Sequence, residues 1–278
     1  MGGGTPSPIV WAAGFDTHRP PPTPCTSSLD RLRAGFRAGF EGLLRIVMTP
    51  QYSPLRSGDA AWRDHCYTRT TMRITKLTEP QLDEAAALLA RAFFDSPVWT
   101  WVVPDETQRR TAMAWFMSAA VRSGMLGGEA YGAGAPLRGV AIWDRPSDGI
   151  DLDPDGTKSG FHEISSRMGE YVMARFAAMA VSQRVREQAM GGRPHWYLNL
   201  LAADPASQRT GAGTALLAAM FTRLDAAGLP CCTETSNEVN VAYYERHGFV
   251  VVGEGTFPLD GPRFWTMRRD AREIRSRP

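Results

Sequence analysis

Apolar positions after residue 72 recur with a period of two in some stretches and near four in others, which predicts alternating strands and helices. The predicted helix at residues 79–94 is a clear example. One of its faces carries the apolar residues Leu82, Ala85, Leu88, Leu89 and Phe93. Short apolar runs between turn residues predict strands. The resulting order is β-α-α-β-β-(helical insert)-β-α-β-α-β-β.

Mixed strands and helices in this order predict an α/β sheet with helices on its faces. The predicted strands cover residues 72–77, 128–132, 138–143, 195–203, 231–235, 249–257 and 264–268, and the predicted helices cover residues 79–94, 105–123, 158–190, 213–227 and 239–246. The segment 158–190 is rich in methionine and aromatic residues. That composition is compatible either with ordinary core packing or with a malleable wall for an apolar substrate.

The first part of the chain differs in composition from the rest. Residues 1–26 are rich in Gly, Pro, Ser and Thr, which is typical of a disordered segment. Residues 29–47 carry an amphipathic, Arg-rich stripe, which leaves a targeting or membrane-surface helix open. A further alternative is that translation begins at Met72. We therefore predict three parts: an N-terminal extension at 1–71, one domain at 72–270 and a tail at 271–278.

Composition narrows the class of protein without fixing its chemistry. The 278 residues are 43% hydrophobic, which suffices for a packed soluble domain. A net charge of +2 without a Lys/Arg cluster does not indicate nucleic-acid binding. The chain has no apolar run of about 18 residues, and its four cysteines lack the spacing of a zinc site. We expect a cytoplasmic protein without a metal, membrane or nucleic-acid partner.

A glycine-containing turn joins the predicted strand 195–203 to the predicted helix 213–227. Its sequence is QRTGAG, at residues 208–213. Backbone N–H groups at a helix N-terminus bind anions, and glycine lets the backbone approach a phosphate closely. The turn lacks the lysine of a nucleotide-binding P-loop, and Leu216 stands where a dinucleotide fingerprint has its third glycine. An anion site and a plain surface turn both remain open.

A second segment, ETSNEVNVAYYERHGF, follows at residues 234–249. Together the two segments resemble the GNAT superfamily of N-acyltransferases, whose members pair a Q/R-x-x-G-x-G/A turn with a downstream N-x-x-x-x-x-x-Y-x-x-x-G-F segment. The resemblance covers about residues 72–269, and its specific part is 196–249. The short sequences WYL, YER and GPR, which begin at residues 196, 244 and 261, are similar to the puromycin N-acetyltransferase type.

This resemblance implies a GNAT-like α/β fold, with a mixed, mostly antiparallel central sheet flanked by helices and a helical insert before the fourth strand. It implies acetyl-CoA as co-substrate. The acetyl group would pass directly to a primary amine of a small molecule, such as an antibiotic or another xenobiotic. The coenzyme-binding residues that it implies are Leu201, Ala202, Ala203, Gln208, Arg209, Thr210, Gly211, Ala212, Gly213, Thr214, Asn237 and Tyr244.

Two residues are candidates for catalysis. The resemblance places Tyr244 beside the thioester sulfur, where its hydroxyl would protonate the departing thiolate. An alkylamine like that of lysine has a pKa of about 10.4, so a base is needed as well. The strand before the turn offers only Asn199 as a short polar residue. Glu234, on the next strand, is the candidate base, with an exposed or helix-capping carboxylate as the structural alternative.

Three functional classes remain open at this point. The first is a small-molecule N-acetyltransferase, the second is a protein or peptide N-acetyltransferase, and the third is a non-catalytic acyl-CoA-binding or sensing module. The presence of Tyr244 argues against the third. The oligomeric state is open between a monomer and a homodimer formed through the last strands.

Overall fold

The computed structural model describes residues 72–127, 129–146, 153 and 155–272. The predictions for residues 1–71 and for most of the tail lie outside the described residues. The strands are β1 Ile74–Lys76, β2 Glu129–Ala133, β3 Gly139–Asp144, β4 Trp196–Ala203, β5 Cys231–Thr235, β6 Val250–Thr256 and β7 Arg263–Arg269. The helices are α1 Leu82–Phe93, α2 Pro97–Val102, α3 Glu106–Leu126, α4 Ile164–Ala178, α5 Ala180–Met190, α6 Ala212–Ala227 and α7 Glu238–Arg246.

The strands form one sheet in the order β1-β2-β3-β4-β5-β7-β6. Neighbouring strands are antiparallel except β4 and β5, which run parallel. Helices α4 and α5 are inserted before β4, as the resemblance implied. The predicted fold class, a mixed and mostly antiparallel sheet flanked by helices, is therefore confirmed.

Each face of the sheet has its own hydrophobic core, because successive strand residues point to opposite faces. On the first face, Val140, Ile142 and Ala202 pack with residues of α1 to α4. On the second face, Trp143 and Leu198 pack with the apolar side of α6 and with α7. We call these the α1–α5 face and the α6–α7 face. Among the described residues, no helix is long and apolar enough to cross a bilayer.

Two helical features differ from the prediction. Helix α2 was not predicted. It begins after Ser96, whose hydroxyl accepts a hydrogen bond from the Trp99 N–H, and proline fits its first helical position. The predicted single helix at 158–190 is two helices. A short 3-10 helix, Phe161–Glu163, precedes them, and Gly169 interrupts α4 with φ 73° and ψ 165°.

The methionine-rich segment at residues 158–190 contributes to the hydrophobic core. Met168, Met173 and Phe176 of α4 are buried on the α1–α5 face. Phe176 stacks on Phe116 with ring centroids 5.5 Å apart, and the edge of Trp99 meets Phe176 at 5.8 Å. Core packing therefore accounts for most of this composition.

A buried ion pair fastens the last strand to α6. The guanidinium of Arg269 donates two hydrogen bonds of 2.8 Å to the two carboxylate oxygens of Asp225. The Arg269 side chain is only 3% exposed, and its guanidinium lies 4.0 Å from the centroid of the Phe221 ring. A charge buried to this extent depends on its partner, since little water can replace a lost carboxylate.

Replacement of Asp225 tests this dependence. We expect Asp225→Asn to lower the free energy of unfolding by about 3 kcal/mol, because it leaves the buried Arg269 charge uncompensated. Denaturant unfolding measures the change. The matched control is Asp270→Asn, since Asp270 pairs with Arg193 and Arg268 but is half exposed. Its effect should stay within about 0.5 kcal/mol. Equal losses in the two variants would contradict the special role of the buried pair.

Candidate active site

The central feature of the sheet is a gap between β4 and β5. These parallel strands are paired at three positions only, Trp196 with Cys231, Tyr197 with Cys232 and Leu198 with Thr233. Beyond Leu198 the two strands separate. Strand β4 continues along β3 to Ala203, whereas the end of β5 stays paired with β7. We call the gap between residues 199–203 of β4 and the end of β5 the fork.

Strand β4 presents free backbone groups to the fork. The Asp204 N–H donates to the Arg138 carbonyl at 2.9 Å, which makes that pair a hydrogen-bonded pair of the β3–β4 ladder. In an antiparallel ladder such pairs alternate with pairs whose N–H and C=O groups point outward. Ala203 and Leu201 are therefore outward-pointing, and Ala202 points toward β3. Within the described chain, no strand covers this edge.

Hydrogen bonds to the Asp204 side chain fix the start of the turn after β4. Asp204 accepts a hydrogen bond from the Ala206 N–H at 2.9 Å and pairs with Arg91 of α1, and the Arg91 hydrogen bond lowers the pKa of Asp204. Arg209 has φ 62° and Gly211 has φ 89°, so two residues of the turn adopt the left-handed backbone conformation before α6 begins. Residues 208–211 are exposed.

The first turn of α6 lies beside the fork, since Ala212 packs in the same core as Leu201 and Ala203. The first intrahelical bond runs from the Ala215 N–H to the Gly211 carbonyl. The N–H groups of residues 212–214 have no acceptor within the helix, and the helix dipole adds partial positive charge there. The turn and the helix start can therefore bind an anionic group such as a pyrophosphate.

Helix α7 supports this helix start from behind. The imidazole of His247 accepts at Nε2 from the Thr214 hydroxyl at 3.1 Å, and its Nδ1–H donates to the Tyr243 carbonyl at 2.8 Å. A Cβ added at Gly213 would lie 2.7 Å from the Tyr243 hydroxyl. Only glycine fits here without displacing that ring. Tyr243 and His247 are therefore structural supports.

Asn237 and Tyr244 border the fork from α7. The Asn237 side-chain oxygen caps the helix by accepting from the Val239 N–H at 3.2 Å, so its amide N–H groups stay available. Tyr244 is buried on the α6–α7 face, edge-on to Phe249 with centroids 5.3 Å apart. Burial raises the pKa of Tyr244 well above its usual value, although the Thr233 side chain opposes this rise. Thr233 pairs with Leu198 at the closed end of the fork.

On the α1–α5 face, Glu234 is held by three donors. Arg186 of α5 approaches Oε1 at 3.2 Å, and the hydroxyls of Ser182 and Tyr197 donate to Oε2 at 3.2 and 3.1 Å. The Arg186 and Glu234 side chains are 7% and 14% exposed. Glu234 is thus neither exposed nor a helix cap. Its charge is already paired within the protein.

The fork and the helix start lie within a segment that matches a known family. Residues 155–249 match the model of the acetyltransferase (GNAT) family. The chain contains a GNAT acetyltransferase domain.

Comparisons with individual proteins agree with this assignment. The chain is 25% identical over 173 residues to the uncharacterized N-acetyltransferase C550.08 of Schizosaccharomyces pombe, which covers 60% of this chain and 70% of that one.

Two solved structures have a similar fold. One is described as histone acetyltransferase HPA2 and related acetyltransferase from Corynebacterium glutamicum, with a TM-score of 0.56 and 20% identity over 74% of this chain and 100% of that chain. The other is a mosquito arylalkylamine N-acetyltransferase like 5b, with a TM-score of 0.50 and 15% identity over 72% and 100%.

The GNAT domain also contains a carboxylate that the sequence prediction missed. Asp144 is the last residue of β3 and lies opposite Tyr197 of β4. Its Oδ2 accepts a hydrogen bond of 3.1 Å from the Asn199 side chain. Burial raises the pKa of Asp144 to about 6, although Asn199 and Arg186 lower it. The only sequence signal was an acidic residue at the end of an apolar strand.

The site residues that the resemblance implies form two groups in the GNAT domain, the coenzyme-binding candidates and the catalytic candidates. Leu201 and Ala203 present backbone groups to the fork, whereas the candidate Ala202 bonds toward β3 and does not. Residues 208–214 follow directly as the turn and the helix start. Glu234 and Tyr244 lie on opposite faces of the sheet. Among the described residues, no group of His, Cys, Asp and Glu side chains is arranged to hold a metal ion.

Proposed function

We propose that this GNAT domain transfers the acetyl group of acetyl-CoA directly to a primary amine of a small molecule. The observation that carries the proposal is the fork with its two outward-pointing residues, Leu201 and Ala203, next to the open start of α6. A coenzyme with an anionic pyrophosphate and a long amide-containing arm matches both features.

The pyrophosphate would bind at the turn and the helix start. The N–H groups of residues 212–214 would donate to it, and Arg209 supplies positive charge from the exposed turn. The pantetheine arm would lie along β4, where Leu201 and Ala203 offer donors and acceptors in the pattern of a neighbouring strand. Asn237 would donate an amide N–H to the arm from the other side of the fork.

The same edge of β4 would stabilise the transition state. When an amine attacks the thioester carbonyl, negative charge develops on the carbonyl oxygen. An N–H of Leu201 or Ala203 that already points into the fork can stabilise this oxygen without rearranging. Holding the two reactants together in the fork supplies most of the remaining acceleration.

Tyr244 would act on the leaving group from the α6–α7 face. Its raised pKa keeps the hydroxyl protonated throughout the neutral range. An ordinary thiol has a pKa of about 8.5, so the thiolate is the weaker base and complete proton transfer from Tyr244 is unfavourable. We therefore assign Tyr244 as a hydrogen-bond donor that stabilises the departing sulfur.

Contacts at the open end of the fork favour a small acceptor over a peptide. The Trp101 indole N–H donates to the Leu259 carbonyl at 2.9 Å, and Trp101 stacks on Phe257 at 5.7 Å. A Cβ at Gly261 would lie 3.0 Å from the Trp101 ring. Helix α2 is thereby joined to the β6–β7 connection, whereas an extended peptide would need an open channel between them.

The similar proteins do not identify the acceptor of this enzyme. The names of the two similar structures point to a histone and to an arylalkylamine, so the choice depends on this chain's own residues. The resemblance to the puromycin N-acetyltransferase type, which includes Gly261, adds antibiotics and other xenobiotic amines to the candidates.

The first test is turnover. Purified protein with acetyl-CoA should release free thiol only when a suitable amine is present. The panel would contain aralkylamines, aminoglycosides, aminonucleosides, polyamines and basic peptides. Release with a small amine and none with peptides would support the proposal. Release with peptides alone would contradict the small-molecule assignment, and failure to bind acetyl-CoA in calorimetry would contradict the coenzyme site.

The helix start can be tested by Gly213→Ala. The added Cβ displaces Tyr243 and shifts the first N–H groups of α6, so we expect the Kd for acetyl-CoA to rise about tenfold, or about 1.4 kcal/mol. Calorimetry measures the change. The control is Gly127→Ala at the end of α3, where the nearest atom to a new Cβ is 3.9 Å away. Unchanged affinity in Gly213→Ala would contradict the placement of the pyrophosphate.

The role of Tyr244 can be tested by Tyr244→Phe. A hydrogen bond to a charged group contributes about 1.5–3 kcal/mol, so kcat should fall about 10- to 150-fold. The Kd for acetyl-CoA should stay nearly constant, because the ring and its packing are retained. The exposed Tyr171 offers a control, Tyr171→Phe, which should leave kcat unchanged. A variant Tyr244→Phe with full kcat would exclude a role in catalysis.

A further inference from the structure

A carboxylate and an amide side chain meet beside the closed end of the fork. Asp144 ends β3, and the Asn199 side chain donates to it from β4. Asn199 is exposed and Asp144 is partly buried, so the pair lies at the protein surface and not in its core. The pair lies on the face opposite to Tyr244.

An irregularity in the β3–β4 ladder produces this contact. Ile142 lies opposite Leu200, and the next residue, Trp143, lies opposite Leu198. Asn199 therefore has no partner of its own in β3. Such a bulge redirects a side chain and commonly lies at functional sites. Here it directs Asn199 toward Asp144.

Two carboxylates near the closed end of the fork, Glu234 and Asp144, differ in their charge balance. Glu234 has a cation, Arg186, within ion-pair distance and two hydroxyl donors besides. Asp144 has one neutral donor and makes no ion pair with the described residues. A cationic amine that enters the fork from this face therefore meets one carboxylate, Asp144, whose charge is not already paired.

We propose that Asp144 is the base that takes a proton from the ammonium group of the acceptor before the neutral amine attacks, and that Asn199 positions the Asp144 carboxylate. This inference rests on the proposed function. Leu201, a candidate donor to the thioester oxygen, lies two residues beyond Asn199, or about 7 Å along the strand. An amine nitrogen between them would be within reach of both the carboxylate and the thioester carbon.

The protons balance in the following way. Asp144 takes one proton from the ammonium, and the neutral amine forms a C–N bond to the thioester carbon. Collapse of the tetrahedral intermediate breaks the C–S bond. The second proton leaves the nitrogen and neutralises the sulfur, which Tyr244 stabilises meanwhile. Asp144 then returns its proton to solvent, so one proton is released per acetyl group transferred.

The surroundings of Asp144 set the pH range of this role. Burial raises the pKa of Asp144 to about 6, although the Asn199 hydrogen bond and the Arg186 charge both lower it. Tyr197 and Cys232 also interact electrostatically with Asp144, and the paired Glu234 lies beyond them on β5. Burial raises the pKa of Tyr197 and of Cys232, so both stay neutral. Asp144 is therefore ionised at pH 7 and loses its base form as the pH falls through about 6.

The test compares pH profiles of wild type and Asp144→Asn. The probe is the primary alkylamine of the panel that the wild type acetylates fastest. Wild-type kcat/KM should fall tenfold per pH unit below about 6 and stay level up to the pKa of the amine, about 10.4 for an alkylamine. In Asp144→Asn it should be lower by about 100- to 10,000-fold at pH 7. As the pH increases, kcat/KM of Asp144→Asn should rise tenfold per pH unit, in proportion to the fraction of unprotonated amine.

A second amine separates a catalytic role from a structural one. An analogue of the same alkylamine with two fluorines on its β-carbon has a much lower pKa, so a large fraction is unprotonated at pH 7 and needs no base to deprotonate it. The ratio of wild-type to Asp144→Asn activity should fall below about tenfold with this analogue. An undiminished ratio, or a loss that is independent of pH, would overturn the proposal, since a distorted fork impairs both amines equally.

Two further variants complete the test. Asn199→Ala removes a hydrogen bond to the ionised carboxylate, so the acid limb of the profile should move to higher pH. Asp83→Asn, an exposed carboxylate in the first turn of α1, should leave the profile unchanged. A wild-type enzyme that acetylates no amine would refute the proposed function itself. Normal wild-type turnover with an unaltered Asp144→Asn profile would refute only the assignment of Asp144.

Discussion

The parallel pairing of β4 and β5 stops after three residues, and the candidate site depends on this early stop. Backbone N–H and C=O groups are costly to bury without partners. The outward groups of Leu201 and Ala203 must therefore face either water or a ligand. The sheet remains intact around the gap because β4 stays paired with β3 and β5 stays paired with β7. Strands β3 and β7 thus keep β4 and β5 apart at the fork, and no loop has to be rigid for this.

The fork also explains why the chemistry is divided between two faces. A sheet ordinarily separates its two cores, but a gap between strands connects them. Tyr244 lies on the α6–α7 face, and Asp144 and Asn199 meet on the α1–α5 face beside the closed end of the fork. A thioester in the gap would have its leaving sulfur on one side and its attacking nitrogen on the other. Groups that act on sulfur and on nitrogen therefore do not interfere with each other.

Features that depend on residues close together in sequence could be predicted, and features that depend on distant residues could not. The turn at 208–213 and the start of α6 are consecutive residues, so glycine positions and apolar periodicity were enough to predict them. Helix α2 was missed because its six residues are too few to show a helical period of apolar positions. Asp144 was missed because its importance depends on a bulge and on Asn199, which is 55 residues away in sequence. Glu234 was found, but its pairing with Arg186, 48 residues upstream, left no local signal.

The pairing of Glu234 bears directly on the assignment of the base. A buried carboxylate that loses a cationic partner is destabilising, so Arg186 and Glu234 are expected to stay together when the acceptor binds. Their charges then cancel locally. Asp144 makes no ion pair with the described residues and accepts a hydrogen bond from one neutral donor, Asn199. An incoming ammonium would compensate that charge on binding and would be placed next to the group that can deprotonate it. Acceptor recognition and base catalysis would therefore be performed by the same carboxylate, which accounts for a charge that the folded protein otherwise leaves unpaired.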